Sequence, residues 1–143
     1  NEMSARYTAL PNENYMPELT RLMIGSDGKN KQAGTIAGAQ ELTKENAIEF
    51  QRRLGLLYAG QQEFYEWALS VGIPKELARV DLPVGRYSKM RASANLRNWL
   101  AFLSLREPSS AQWEIRQAAI SVHTLLGEPF PRTMKLFEET LVG

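Results

Sequence analysis

Cysteine is absent from the 143-residue chain, which excludes disulfides, thiolate metal ligands and a cysteine nucleophile. Histidine occurs once, as His123. A two-histidine metal site therefore cannot be built and nothing suggests a serine–histidine triad, so no metal site is expected. His123 reads as the flank of a helical stripe through Val122 and Leu126. An excess of either charge is also missing: 17 basic residues face 16 acidic ones for a net +1. That balance speaks against generic nucleic-acid or membrane binding and requires any anion site to be local. No apolar run approaches the roughly 20 residues that span a bilayer, and the first residues resemble no signal peptide, so a soluble, cytoplasmic protein is expected. Internal repeats and low-complexity tracts are absent too. What remains, 43% apolar residues, suffices for the core of one domain. The opening at Asn1, amid polar and aromatic residues, reads like mid-protein sequence and leads us to expect a fragment or a processed product.

Helical periodicity dominates from Thr43 onward. Ala47, Phe50, Leu54, Leu57, Tyr58 and then Phe64, Tyr65, Ala68 and Val71 recur by threes and fours, with Thr43 as N-cap and Gly72 as the residue past the C-terminus. The aromatic residues of this helix, Phe50, Tyr58, Phe64, Tyr65 and Trp67, are expected in the core. A short helix is predicted from Pro74 until Pro83 stops it, with Arg79 near its end. Residues 85–93 lack a helical pattern and predict a strand, followed by a helix through Leu96, Trp99, Leu100 and Leu103. The Glu107-Pro108-Ser109-Ser110 segment breaks that helix and offers serine caps to the next. This next helix carries Ile115, Ala118, Ala119, Val122, Leu125 and Leu126 and ends at Gly127. A last helix has Pro131 in its first turn and presents Met134, Phe137 and Leu141. Earlier, residues 1–10 read as a strand end or loop entry, Pro11 and Pro17 break regular structure, and residues 25–40 read as a mobile loop around Gly25, Gly28, Gly34 and Gly38.

Three polar clusters sit where elements begin or end, the usual place for anionic ligands. In Asn1-Glu2-Met3-Ser4-Ala5-Arg6-Tyr7, small Ser4 and Ala5 permit close backbone approach, and Ser4 and Arg6 can donate to a phosphate; the bland alternative is a polar surface strand. Ala94-Asn95-Leu96-Arg97 puts an amide and a guanidinium at a helix start, where a capping asparagine beside a solvated arginine is the competing reading. Around Arg106 a helix end and the next helix start can face one space, unless Arg106 merely pairs with Glu107 and the helix dipole. Glu76, Arg79 and Asp81 read as a local charge network.

These segments together resemble the flavin-dependent thymidylate synthases. Asn1-Glu2-Met3-Ser4-Ala5-Arg6-Tyr7 is similar to the second half of that family's signature, in which an Arg-His-Arg triplet precedes Asn-Glu-x-Ser-x-Arg-Tyr. Glu76-Leu77-Ala78-Arg79 with Leu82-Pro83, then Asn95-Leu96-Arg97, then Leu105-Arg106 and Ala111-Gln112-Trp113-Glu114-Ile115 recur in the same order at similar spacing. Several short matches in register are far more specific than any one of them.

The resemblance implies an enzyme that methylates dUMP to dTMP, with FAD as bound cofactor, methylenetetrahydrofolate as carbon donor and NADPH as reductant. Glu2, Met3, Ser4, Ala5 and Arg6 match the stretch lining the dUMP site, with Arg79 as a further phosphate-binding arginine. Arg106 matches a catalytic arginine against the pyrimidine, where a fixed cation favours ionisation at N3. Asn1, Glu2, Asn95, Leu96 and Arg97 match the residues that hold FAD. The family also implies an α+β fold, a central antiparallel sheet with a helical layer, to which this chain contributes mainly the helices. Residues 1–143 would then be the C-terminal part of a single domain, working as a homotetramer on dUMP and folate, with no nucleic acid and no membrane as partner. Three positions depart from the family: Ala5 replaces a common glycine, Ser110 a frequent histidine, and Ala101 an asparagine near the flavin. The Arg-His-Arg triplet is not in this sequence. A non-catalytic remnant that binds nucleotide or joins a full-length partner is the alternative.

Overall fold

Thr43 starts the longest helix because its hydroxyl oxygen accepts the backbone N–H of Asn46 at 3.2 Å, satisfying one of the donors that a helix start leaves open. Helix α2 then runs Lys44–Ser70. It ends at Val71 and Gly72, whose φ of 86° is the left-handed conformation that costs glycine no Cβ clash. The computed structural model of the chain describes residues 2–23 and 42–141. Asn1 and the expected loop at 25–40 lie outside the described residues.

The described residues form two compact units, 2–23 with 42–92, and 93–141. In the first, α1 (Leu19–Met23) packs on α2, and Gln51 donates to the Pro17 carbonyl at 2.7 Å. Helix α1 was not foreseen, since Pro17 was read as breaking regular structure; the helix begins beyond it. The predicted short helix is α3 (Lys75–Ala78), continued by a 3₁₀ turn at Arg79–Asp81. Tyr65, Ala68 and Ala78 are buried together, with Leu69 and Leu82 packed against them. Three members of the expected aromatic core are corrected: Phe50 is 46% exposed, Phe64 44% and Trp67 56%, while Tyr58 is half-buried. These residues are outside the buried cluster, whereas Tyr65 and Ala68 pack with Ala78 of α3.

The expected central antiparallel sheet is also corrected. Among the described residues there is no strand, and extended pairing is limited to two isolated antiparallel bridges, Glu2 with Met90 and Asn14 with Arg86. The segment 85–93, expected as a strand, is touched once near each end. Between its partners the chain turns at Ser4, whose carbonyl accepts the N–H groups of Tyr7 and Thr8, and then meets Pro11, which has no N–H to offer. A ladder cannot propagate through such an interruption.

The second unit is a helical trio. Asn95 caps α4 (Leu96–Arg106), its Oδ1 accepting the Asn98 N–H at 2.9 Å. Helices α5 (Trp113–Gly127) and α6 (Pro131–Leu141) follow, and Leu103, Ala119 and Met134 form the buried centre with Val122, Leu126 and Phe137 against it. Leu125, expected on the inner face of α5, is 73% exposed. The serine caps are a second local correction. Pro108 to Ala111 close a tight turn, the Ala111 N–H donating to the Pro108 carbonyl at 2.9 Å, so Ser109 and Ser110 are spent inside it. Gln112 takes the cap position without a side-chain hydrogen bond. No helix of the described residues is long and apolar enough to cross a membrane.

Candidate active site

In the first unit the opening segment is laid against residues 88–90. Met3 donates its N–H to the Lys89 carbonyl at 2.8 Å, and the Ser88 hydroxyl donates to the Met3 carbonyl at 3.4 Å. Ala5 is buried, so a small side chain is needed there. Arg79 is carried at the end of α3, and its place is set by the preceding Ala78, sealed against Tyr65 and Ala68. These two fixings bring residues 2–5 and Arg79 around one cavity of about 370 Å³, closed on its apolar side by Leu82 and Pro83. Arg6 is not on this wall. Its own N–H lies 3.4 Å from Ser4 Oγ, its guanidinium is 6.0 Å from the centre of the Tyr7 ring, and the residue is exposed.

Arg86, which sequence reasoning passed over, is on the wall. Its Nη1 donates to Asn12 Oδ1 at 3.2 Å and its Nη2 to Gln62 Oε1 at 2.6 Å and to the Leu10 carbonyl at 3.3 Å. All three acceptors are neutral. Its Nε is buried with no partner among the described residues, as are Asn14 Oδ1 and Tyr65 Oη. Burial pulls the Arg86 pKa below the ordinary arginine value, while nearby Tyr65 and Glu66 act the other way. Gly85 carried the only available signal. A Cβ there would stand 2.5 Å from Tyr58 Oη, so glycine lets Tyr58 donate to the Tyr15 carbonyl at 2.9 Å.

The second unit has its own cavity, of about 510 Å³, lined by Leu105, Arg106, Ser110, Ala111, Gln112 and Ile115. Arg106 ends α4 and Gln112 precedes the first turn of α5, so a guanidinium and the positive end of a 15-residue helix share this space. Such a space favours an anion or a group that becomes one. Asn95, Leu96 and Arg97 stand at the other end of α4, with Arg97 nine residues or roughly 13–14 Å along the axis from Arg106. Arg97 and Arg106 make no hydrogen bond or ion pair to described residues. Asn95 uses Oδ1 as a cap and keeps its amide N–H groups available. Glu107 turns away from Arg106 and pairs with His123, whose Nδ1 is 2.9 Å from both its carboxylate oxygens, while Nε2 lies 3.0 Å from Glu138. Hydrogen bonding to Glu107 raises the His123 pKa, partial burial opposes this, and Glu138 adds to the rise. The charge network expected of Glu76, Arg79 and Asp81 is not formed among the described residues.

The family model described as thymidylate synthase complementing protein, Thy1, matches residues 1–132. The chain belongs to the Thy1 family. Proteins named flavin-dependent thymidylate synthase are 36% identical in Thermosipho melanesiensis over 96% of this chain and 57% of theirs, and 36% identical in Thermus thermophilus over 99% and 49%. The chain thus spans about half the length of these curated relatives. Among solved structures, a UMP/dUMP methylase, PolB from Streptomyces cacaoi bound with 5-Br UMP, superposes with a TM-score of 0.83 at 30% identity, covering 97% of this chain and 62% of that one. Both cavities of this Thy1 chain lie within the matched residues.

Proposed function

We propose that the protein is a flavin-dependent thymidylate synthase, which transfers the methylene of methylenetetrahydrofolate to C5 of dUMP and reduces it to the methyl of dTMP. The observation that carries this reading is the cavity that gathers Glu2, Met3, Ser4 and Ala5 with Arg79, residues some 75 positions apart in sequence. Small Ser4 and Ala5 leave room for a phosphate, Ser4 Oγ–H can donate to it, and Arg79 supplies a charged fork. Arg6, exposed beside this wall, reaches the phosphate only if its side chain leaves Tyr7. Arg106 is assigned to the pyrimidine by its place in the family motif, a role in which its charge stabilises the anionic ring form that is nucleophilic at C5. Because a guanidinium keeps its proton, Arg106 acts by position and field.

For FAD the residues fit. Asn95 has amide donors to spare, Arg97 is exposed and pairs with none of the described residues, and the first N–H groups of α4 point out of a helix start. Leu96 supplies apolar contact; Asn1 and Glu2 belong to the same set by their place in the motif. Bound flavin supplies the reducing hydride, which NADPH replenishes. The working assembly is a homotetramer in the cytoplasm, with neither nucleic acid nor membrane as partner. The apolar side chains left uncovered on α2 support assembly.

The test is formation of dTMP by the flavin-loaded protein given dUMP, methylenetetrahydrofolate and NADPH, with loss of product when any one is withheld. A protein that shows no flavin absorbance after incubation with FAD, and makes no dTMP, overturns the reading.

A further inference from the structure

We infer that Arg86 is a second, half-buried cation of the nucleotide site, a positioning residue that attracts the ligand's phosphate through its charge while its Nη atoms stay bonded to the protein. The inference rests on the reading of the first cavity as a dUMP site and adds to it a residue that no motif of the chain marks.

Three observations point to charge as well as tethering. Arg86 shares the cavity wall with Arg79 and Ser4. Its bonds go to the Leu10 carbonyl, Asn12 Oδ1 and Gln62 Oε1, which carry no formal charge. A half-buried guanidinium whose Nε is shut off from solvent loses hydration that a neighbouring anion can offset. Among the described residues no carboxylate bonds to Arg86; Glu66 acts on it from behind Gln62, outside the cavity lining, and the one acidic side chain on the wall is Glu2. The wall therefore carries two guanidinium groups against one carboxylate, a deficit of negative charge that a phosphate monoester fills.

Geometry also restrains the charge. Arg86 is pinned through its neighbours, the Tyr15 N–H donating to the Gly85 carbonyl at 2.7 Å and the Tyr87 N–H to the Glu13 carbonyl at 2.9 Å. Asn14 and Arg86 thus form a non-hydrogen-bonded antiparallel pair, with side chains on one face. A cation fixed in this way needs no reorganisation when the nucleotide arrives.

The test measures dUMP affinity of the full flavin-loaded protein at about pH 5 and about pH 7.5, on either side of the second phosphate ionisation near 6. The parent should bind the dianion more tightly than the monoanion. Arg86→Gln should weaken binding about tenfold at the higher pH, equivalent to about 1.4 kcal/mol, and should flatten the difference between the two pH values. Arg86→Lys should stay within about threefold of the parent on the usual scale of a retained charge, even though lysine cannot span the three acceptors and Tm falls. Equal weakening at both pH values in Arg86→Gln, or a Lys variant as weak as the Gln one, shows a residue that only holds the turn and overturns the inference. Should Arg86→Gln fail to fold, the Lys variant and its pH ratio decide alone. Arg79→Gln separates the two levels: if it leaves dUMP binding untouched, the nucleotide reading of the cavity fails; if it weakens binding while both Arg86 variants do not, only the present inference fails.

Discussion

Arg106 and Arg97 sit at opposite ends of one helix, so their substitutions should separate. Arg106→Ala should abolish dTMP formation with flavin retained, and Arg97→Ala should lower flavin content at equal protein; turnover within a few-fold of the parent after the first change removes Arg106 from its role. Gly85→Ala should destabilise the protein by about 1–3 kcal/mol, the usual cost of forced repacking. The new methyl meets Tyr58 Oη and displaces its bond to Tyr15, and urea denaturation reads the loss. His123 gives a pH dependence whose sign is set by its raised pKa. The folded state holds the proton more tightly than the unfolded chain, so the Glu107–His123–Glu138 contribution is complete below the ordinary histidine value of about 6.5 and fades as pH rises through the raised folded one. His123→Ala should therefore depress Tm most in mild acid and converge with the parent at alkaline pH; a Tm gap unchanged across that range contradicts it. Arg79 and Ser4 could be read in the sequence because each falls in a recognisable segment. Arg86 could not, since its significance lies in partners 24, 74 and 76 positions away.

Caps were readable where the signal is local. Thr43 and Asn95 each bond an N–H three residues on, a relation that needs nothing beyond the neighbouring chain, and Asn95→Ala should cost about 1 kcal/mol of stability by chemical denaturation. Serines 109 and 110 carried the same signal and lost to the turn that Pro108 closes. Core positions were readable where one face alone is apolar: Leu103 is fully buried between α4, α5 and α6, and Leu103→Ala should cost about 2–5 kcal/mol. Helix α2 misled because its apolar residues spread around the cylinder, and periodicity cannot say which side finds a partner in the chain. The sheet expectation failed for a related reason. Extended segments are sequence-local, but a ladder needs a second segment in register, and the turn at Ser4 and Pro11 interrupt the candidate.

For the whole molecule, the exposure of Leu56, Leu57, Phe64 and Trp67, between 44% and 63%, leaves more apolar surface on one helix than a lone monomer usually shows. Leu57→Glu should shift the protein to a smaller species on size-exclusion chromatography while helical circular dichroism persists; an unchanged elution volume argues that this side of α2 takes no part in assembly. The two solitary bridges bear on how the wall of the first cavity breathes. A rung with no rung beside it opens without dragging a cooperative sheet along, so deuterium should reach the amides of Met3, Tyr15 and Tyr87 by small, independent excursions, well before it reaches the middle of α2. The backbone on either side of Arg86 takes part in these excursions, while its side chain keeps the Leu10, Asn12 and Gln62 bonds. Occupancy by a phosphate ester should slow both amides together, turning two unconnected latches into a single one.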